Sequence, residues 1–177
     1  MKSTTVSAIV FTNVNDERLG DITNMRSTAS LPFGASYRLI DFSLANLVNA
    51  NINNIGIIAK ENYRSLMDHL GSGVYWDLDR KNGGLHILPP FNSSEAVKYT
   101  GYIDALNGAK SFITRSKSDY IVICDANVVA NIDLSSALDS HIKNGADVTM
   151  LWHKGVLDEG SDAMVFSIGD DHSIKSI

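Results

Sequence analysis

A chain of 177 residues is long enough for one ordinary domain with a real core. Its 44% hydrophobic and 20% charged residues exclude a disordered protein, and its formal net charge of −5 leaves no basic field for nucleic acid or an anionic membrane. No apolar run is long enough to span a bilayer, and Met1-Lys2-Ser3-Thr4-Thr5 runs into the first strand without a signal segment. The single cysteine, Cys124, rules out an internal disulfide, and all of this fits a reducing, cytoplasmic setting.

In chain order, Val6–Phe11 is a continuous apolar run of strand length. Residues 41–50 have helix character, with Leu44, Leu47 and Val48 on one face. Residues 55–59 form a second buried strand and residues 62–70 a second helix. Residues 71–90, with Gly-Ser-Gly, Arg80-Lys81-Asn82-Gly83-Gly84 and Pro89-Pro90, carry long-loop chemistry with short strand pieces. Residues 101–113 are the clearest helix, since Ile103, Leu106, Ala109 and Ile113 recur near helical period. Residues 120–124 are a third buried strand. Leu134–Asn144 repeats the helical stripe and Gly145 stops it. Residues 147–152 read as a fourth strand and residues 154–161 as a loop. Residues 163–168 and 173–177 read as short strands paired across Gly169-Asp170-Asp171-His172.

Strands that are apolar throughout are buried on both faces, as in parallel sheets with helices on either side. The expected fold is therefore a doubly wound α/β domain, Rossmann-like, with a mostly parallel sheet. Ligands in such sheets bind in the crevice at the carboxyl ends of the strands. The loops after Phe11 and after Cys124 thus matter most.

A dinucleotide fingerprint would place three spaced glycines after the first strand. No glycine lies between Phe11 and Leu19, and there is no Walker A loop, which argues against NAD and P-loop chemistry. The five histidines show no metal-ligand spacing. His141 lies on an apolar stripe and reads as a core-edge residue. Cys124, without a basic neighbour in sequence, reads as a buried apolar residue. Arg38 with Asp41 is a pair that either sits near the crevice or braces its loop.

Several blocks resemble one family. Arg18-Leu19 is followed by Ile22-Thr23-Asn24, then Pro32-Phe33-Gly34, then Tyr37-Arg38-Leu39-Ile40-Asp41-Phe42-Ser43-Leu44-Ala45-Asn46. Together these resemble the opening of the glucose-1-phosphate adenylyltransferase (ADP-glucose pyrophosphorylase) family. That opening is a glycine-rich loop ending Arg-Leu, then Lys-Arg-Ala-Lys-Pro, Phe-Gly-Gly and Arg-Ile-Ile-Asp-Phe-Leu-Ser-Asn. Further on, Tyr99-Thr100-Gly101-Tyr102-Ile103-Asp104-Ala105 is similar to the family's Tyr-x-Gly-Thr-Ala-Asp-Ala. Ile121-Val122-Ile123-Cys124-Asp125 is similar to its strand ending Gly-Asp, whose aspartate holds magnesium. The resemblance implies a nucleotide-diphospho-sugar transferase-like fold, with Arg18 and Asp125 as surviving phosphate and metal groups. Mg2+ at Asp125 is the one cofactor it implies.

The departures from the family pattern fall on the nucleotide side. Its glycine-rich loop lines up with Asn13-Val14-Asn15-Asp16-Glu17. Glycine there lets backbone amides approach phosphates closely. Asn13 and Asn15 tolerate left-handed geometry, whereas Val14 does not. Asp16 and Glu17 put carboxylates where a triphosphate would lie, and like charges at contact cost about 4 kcal/mol at a surface-like dielectric. Thr28 and Ala29 stand where the family has Lys-Pro. Thr28 therefore forgoes a charged hydrogen bond worth roughly 1.5–3 kcal/mol. Tyr102-Ile103 replaces Thr-Ala, adding bulk on the nucleobase side, between Gly101 and Asp104.

The pattern resembles the family's regulatory, non-catalytic subunit, weak or inactive alone and partnered with a catalytic glucose-1-phosphate adenylyltransferase chain in glycogen biosynthesis. The whole chain reads as one nucleotidyltransferase-like domain, incomplete at its C-terminus. The family's second metal aspartate, glucose-phosphate residues and β-helix domain would all lie beyond Ile177. Two other readings stay open: an active nucleotidyltransferase making ADP-glucose from ATP and glucose 1-phosphate, and a stand-alone sensor of a nucleotide or sugar phosphate.

Overall fold

A computed structural model describes residues 4–13, 16–88, 101–156, 164–169 and 173–176. Its central sheet contains β1 (Val6–Phe11), β4 (Asn54–Ile58), β5 (Gly84–Leu88) and β6 (Tyr120–Asp125), in the order β5-β4-β1-β6. Every pairing in it is parallel. A short antiparallel ribbon, β2 (Pro32–Phe33) with β3 (Tyr37–Arg38), precedes helix α1 (Leu39–Asn49). Helices α2 (Arg64–Leu70), α3 (Tyr102–Gly108), α4 (Lys110–Ser116) and α5 (Leu134–Asn144) complete the regular structure, with a last hairpin β7 (Ser167–Ile168) and β8 (Ile174–Ser176).

Successive side chains of a strand point to opposite faces, and β1 uses both. Ala8 and Val10 pack with Ile55, Ile57, Ile40, Leu44, Leu47, Leu66 and Leu70, the face covered by α1 and α2. Ile9 and Phe11 pack with Ile58, Ala105, Ala109 and Phe112, the face covered by α3 and α4. Each of the valine, leucine, isoleucine and phenylalanine side chains taken out of water contributes roughly 1.5–3 kcal/mol, which explains why the apolar strand runs dominate the fold. On the α4 face, Gly56 makes room for its neighbours. A Cβ there would stand 2.8 Å from Leu88 Cδ1 and 3.0 Å from the Phe112 ring.

The expected parallel sheet with helices on both faces is present, and β1 has the expected bounds. Three elements differ from expectation. The helix expected over residues 101–113 is two, broken at Ala109, which has φ −82° and ψ 0°. Gly108 just before the break is a poor helix former. The segment 71–90 holds a full edge strand, β5, beside β4. Residues 147–152, expected as a fourth strand, join no ladder among the described residues, and Val148, Leu151 and Trp152 are exposed there. Their apolar run matched a strand signal, but a strand exists only with a hydrogen-bonded neighbour.

The chain divides into two compact units, Met1–Asp139 and Ser140–Ile177. The first holds the sheet. In the second, the expected hairpin is present as β7 and β8, and His141 Nδ1 lies 2.7 Å from Thr149 Oγ1. Part of the expected 154–161 loop, with Ala163 and Ile177, lies outside the described residues, as do Pro89-Pro90 and Tyr99-Thr100.

Candidate functional site

The strand order places a topological switch between β1 and β6. The chain leaves β1 towards β4 and β5, then returns to the other side of β1 as β6. Loops diverge at such a point and open a crevice at the carboxyl ends. Phe11 and Asp125, the last residues of β1 and β6, are partners in register there.

The loop after β1 is held by internal bonds. Thr12 is buried, and its hydroxyl donates to the Ile58 carbonyl at 2.8 Å. Asn13 clasps the loop after β4: its Oδ1 accepts from the Lys60 amide at 3.0 Å and its Nδ2 donates to the Glu61 carbonyl at 3.1 Å. The Ala29 amide donates to the Thr12 carbonyl at 3.2 Å. Thr28, on the short turn Thr28–Ser30, is only 3% exposed. The position that matches the family's lysine is therefore turned into the protein. Glu17 and Arg18 are exposed on the 3-10 helix Asp16–Thr23. Val14, Asn15 and the Asp16 side chain lie outside the described residues.

The loop after β6 is anchored to α1 and β1. Ser43 Oγ donates to the Asp125 carbonyl at 3.0 Å, and the Ala126 amide donates to the Phe11 carbonyl at 2.8 Å. Asn46 donates to the Ala130 carbonyl at 2.8 Å and accepts from the Ile132 amide at 3.2 Å. The sequence signal for these anchors was two polar residues, i and i+3, inside an apolar helix stripe. Arg38 and Asp41 instead tie the start of α1 to α2. The Arg38 amide donates to Asp41 Oδ2 at 2.9 Å, and Asp41 Oδ1 meets His69 Nε2 at 2.7 Å. The Arg38 guanidinium donates to the Ser65 carbonyl at 2.6 Å.

Tyr102, the first residue of α3, reaches across this crevice. Its ring meets Phe11 edge-on, with centroids 4.6 Å apart. Its hydroxyl donates to the Asp125 carboxylate, 3.1 Å from each oxygen. Expected on the nucleobase side, Tyr102 thus engages the carboxylate, while Ile103 is 80% exposed. Gly101 precedes the helix in extended backbone, and Asp104 is half-buried in its first turn.

The electrostatics follow from this contact. Burial raises the Asp125 pKa, and the Tyr102 hydrogen bond opposes the rise. The Tyr102 phenol is pushed up to about 12, by burial first and then by the Asp125 charge and hydrogen bond. Burial, and then the same charge, push the Cys124 thiol up to about 12. A proton-bearing phenol facing a carboxylate is a stable donor pair at neutral pH and supplies no nucleophile. Among the described residues no group of three or more His, Cys, Asp or Glu is placed to hold a metal ion. Both Asp125 oxygens face the phenol, so a magnesium ion chelated there would have to displace the Tyr102 hydrogen bond.

The family model for nucleotidyl transferase matches residues 11–173. The glycogen biosynthesis protein GlgD of Geobacillus stearothermophilus is 42% identical over 140 residues, covering 78% of this chain and 41% of that protein. A glucose-1-phosphate adenylyltransferase of Bacillus thuringiensis (strain Al Hakam) is 32% identical over 168 residues, covering 94% of this chain and 45% of that protein. The chain thus spans less than half the length of either relative. A crystal structure described as a Bacillus anthracis glucose-1-phosphate thymidylyltransferase in complex with sucrose superposes with TM-score 0.62. At 20% identity, over 78% of this chain and 50% of that one, it shows the fold alone.

Proposed function

Because the chain belongs to the nucleotidyl transferase family, we propose that it is the nucleotidyltransferase-like domain of a regulatory glucose-1-phosphate adenylyltransferase subunit. In this reading it acts in glycogen biosynthesis by associating with a catalytic chain and modulating it, and turns over little or nothing alone. The observation that carries the reading is the state of the loop after β1. A phosphate-binding loop presents free amides and a cation to its ligand. Here the loop has no glycine before Leu19, its Asn13 side chain is committed to Lys60 and Glu61, and Thr28 is buried without a charge. A missing charged contact and a misplaced carboxylate each remove one or more factors of ten in binding.

Similarity to GlgD, named as a glycogen biosynthesis protein, supports the pathway assignment. The rival reading, an active enzyme forming ADP-glucose, is favoured by one feature: Asp125 still ends β6 beside β1. ADP-glucose synthesis, measured with the full-length protein alone and mixed with a catalytic subunit from the same cell, separates the two. Silence alone with a rise in the partner's rate or affinity supports the regulatory role. Turnover alone that Asp125→Asn abolishes would overturn it.

A further inference from the structure

We infer that Tyr102 stands in for a cation at Asp125 and closes this carboxylate to divalent metal ions. The hydroxyl oxygen is equidistant from the two carboxylate oxygens, 3.1 Å from each. A cation chelated by Asp125 has the same requirement, nearness to both oxygens, and must displace the phenol to meet it. Tyr102 is 48% exposed, and its contact with Phe11 is what positions the phenol. Its ring packs edge-on against Phe11, which ends the neighbouring strand, so the hydroxyl is aimed from a fixed aromatic contact.

The opposite side of Asp125 is fixed as well. Its carbonyl accepts the Ser43 hydroxyl, and its backbone continues the β6 ladder with β1. With the backbone fixed, the carboxylate moves only by side-chain rotation, and such a rotation breaks its hydrogen bond to Tyr102. Among the described residues no cluster of three acidic, histidine or cysteine side chains surrounds it. A hard cation held by one occupied carboxylate would rely on water and substrate phosphates for nearly all its ligands. Tyr102 thus satisfies the charge of a partly buried aspartate by a hydrogen bond.

The test is direct metal binding by the full-length protein, with Mn2+ as the probe and free Mn2+ followed by electron paramagnetic resonance. Wild type is expected to bind Mn2+ no better than its Asp125→Asn variant. Tyr102→Thr, which removes ring and hydroxyl, and Tyr102→Phe, which keeps the ring on Phe11, are expected to differ from it. At least one of them gains tenfold or more in Mn2+ affinity, the order expected when a cation no longer displaces a charge-assisted hydrogen bond. Adding Asp125→Asn should erase the gain. If wild type binds Mn2+ through Asp125, or if neither folded variant gains affinity, Tyr102 is not the closure. Should Tyr102→Thr fail to fold, Tyr102→Phe decides alone. Metal affinity is read without any partner or turnover, so this result stands apart from the outcome for the regulatory role.

Discussion

Asn13 is the side chain that ties the loop after β1 to the loop after β4. Its side chain accepts from the Lys60 amide at 3.0 Å and donates to the Glu61 carbonyl at 3.1 Å. Replacing Asn13 with alanine deletes these and leaves the partly buried Lys60 amide without that acceptor. A net hydrogen bond contributes about 0.5–1.5 kcal/mol, and an orphaned buried donor costs about 1–3 kcal/mol. Asn13→Ala should therefore destabilise by about 2–3 kcal/mol. With an m-value of about 1–3 kcal/mol per molar urea, the midpoint falls by roughly 1 M. Urea unfolding followed by circular dichroism reads this shift. A variant with glycines at positions 13, 14 and 16 and Thr28→Lys would carry the family-like pattern at this loop. Asn13→Gly undoes the clasp, and Thr28→Lys puts an ammonium at a site only 3% exposed. An unpaired buried charge costs several kcal/mol, against a typical total stability of about 5–15 kcal/mol. The combined variant should thus unfold readily unless the introduced lysine side chain swings outward. A change below about 0.5 kcal/mol for Asn13→Ala would refute the clasp, and with it the view that the loop is built inward.

Three further outcomes are expected. Gly56→Ala should destabilise by about 1–3 kcal/mol, because the new methyl meets Leu88 at 2.8 Å and the Phe112 ring at 3.0 Å; a thermal melt unchanged from wild type would contradict that packing. Ser27→Ala should be neutral or slightly stabilising, since the buried Ser27 hydroxyl has no hydrogen-bond partner among the described residues; a loss above about 1 kcal/mol in urea would mean that it has one. At alkaline pH the Cys124 thiol, raised from 9.0 to about 12, stays protonated in the folded protein while the unfolded chain ionises first. Its stabilisation is complete below pH 9 and is lost as pH rises towards 12, by a few kcal/mol at most. Cys124→Ala should flatten that decline in a urea series from pH 8 to 11, and an identical decline would remove Cys124 as its source.

The legible part of the fold was the part that hydrophobic periodicity controls. Val6–Phe11 could be bounded from sequence because both its neighbours are apolar and it is buried on both faces. Residues 147–152 carry the same signal without joining a ladder among the described residues, since periodicity reports what a segment can bury and not what it pairs with. The edge strand β5 was obscured by its glycines. Gly84, which opens it at φ +98°, reads as a loop residue, yet a Cβ there would lie 2.7 Å from the Leu78 carbonyl oxygen. At the site, the family resemblance drew attention to Asp125 and the loop after Phe11, which the structure places at adjacent strand ends. The pairing of Tyr102 with Asp125 could not be read, because it joins residues 23 apart through the direction of one side chain.

The crevice can change its chemistry without endangering the fold because the two are held by different residues. The sheet is stabilised by Ala8, Val10, Ile55 and Ile57 on one face and by Ile9, Ile58 and Phe112 on the other. None of these requires a bound phosphate or metal. The groups at the strand ends are polar, and each has been given a partner within the protein: Thr12 by Ile58, Asn13 by Lys60 and Glu61, Asp125 by Tyr102. A site organised for a charged ligand keeps its polar groups waiting, at an energetic cost that the ligand relieves. This one has relieved the cost internally. Any nucleotide entering would have to replace protein hydrogen bonds rather than water, so weak nucleotide binding should accompany a rigid crevice, with slow amide exchange at Lys60 and Ala126.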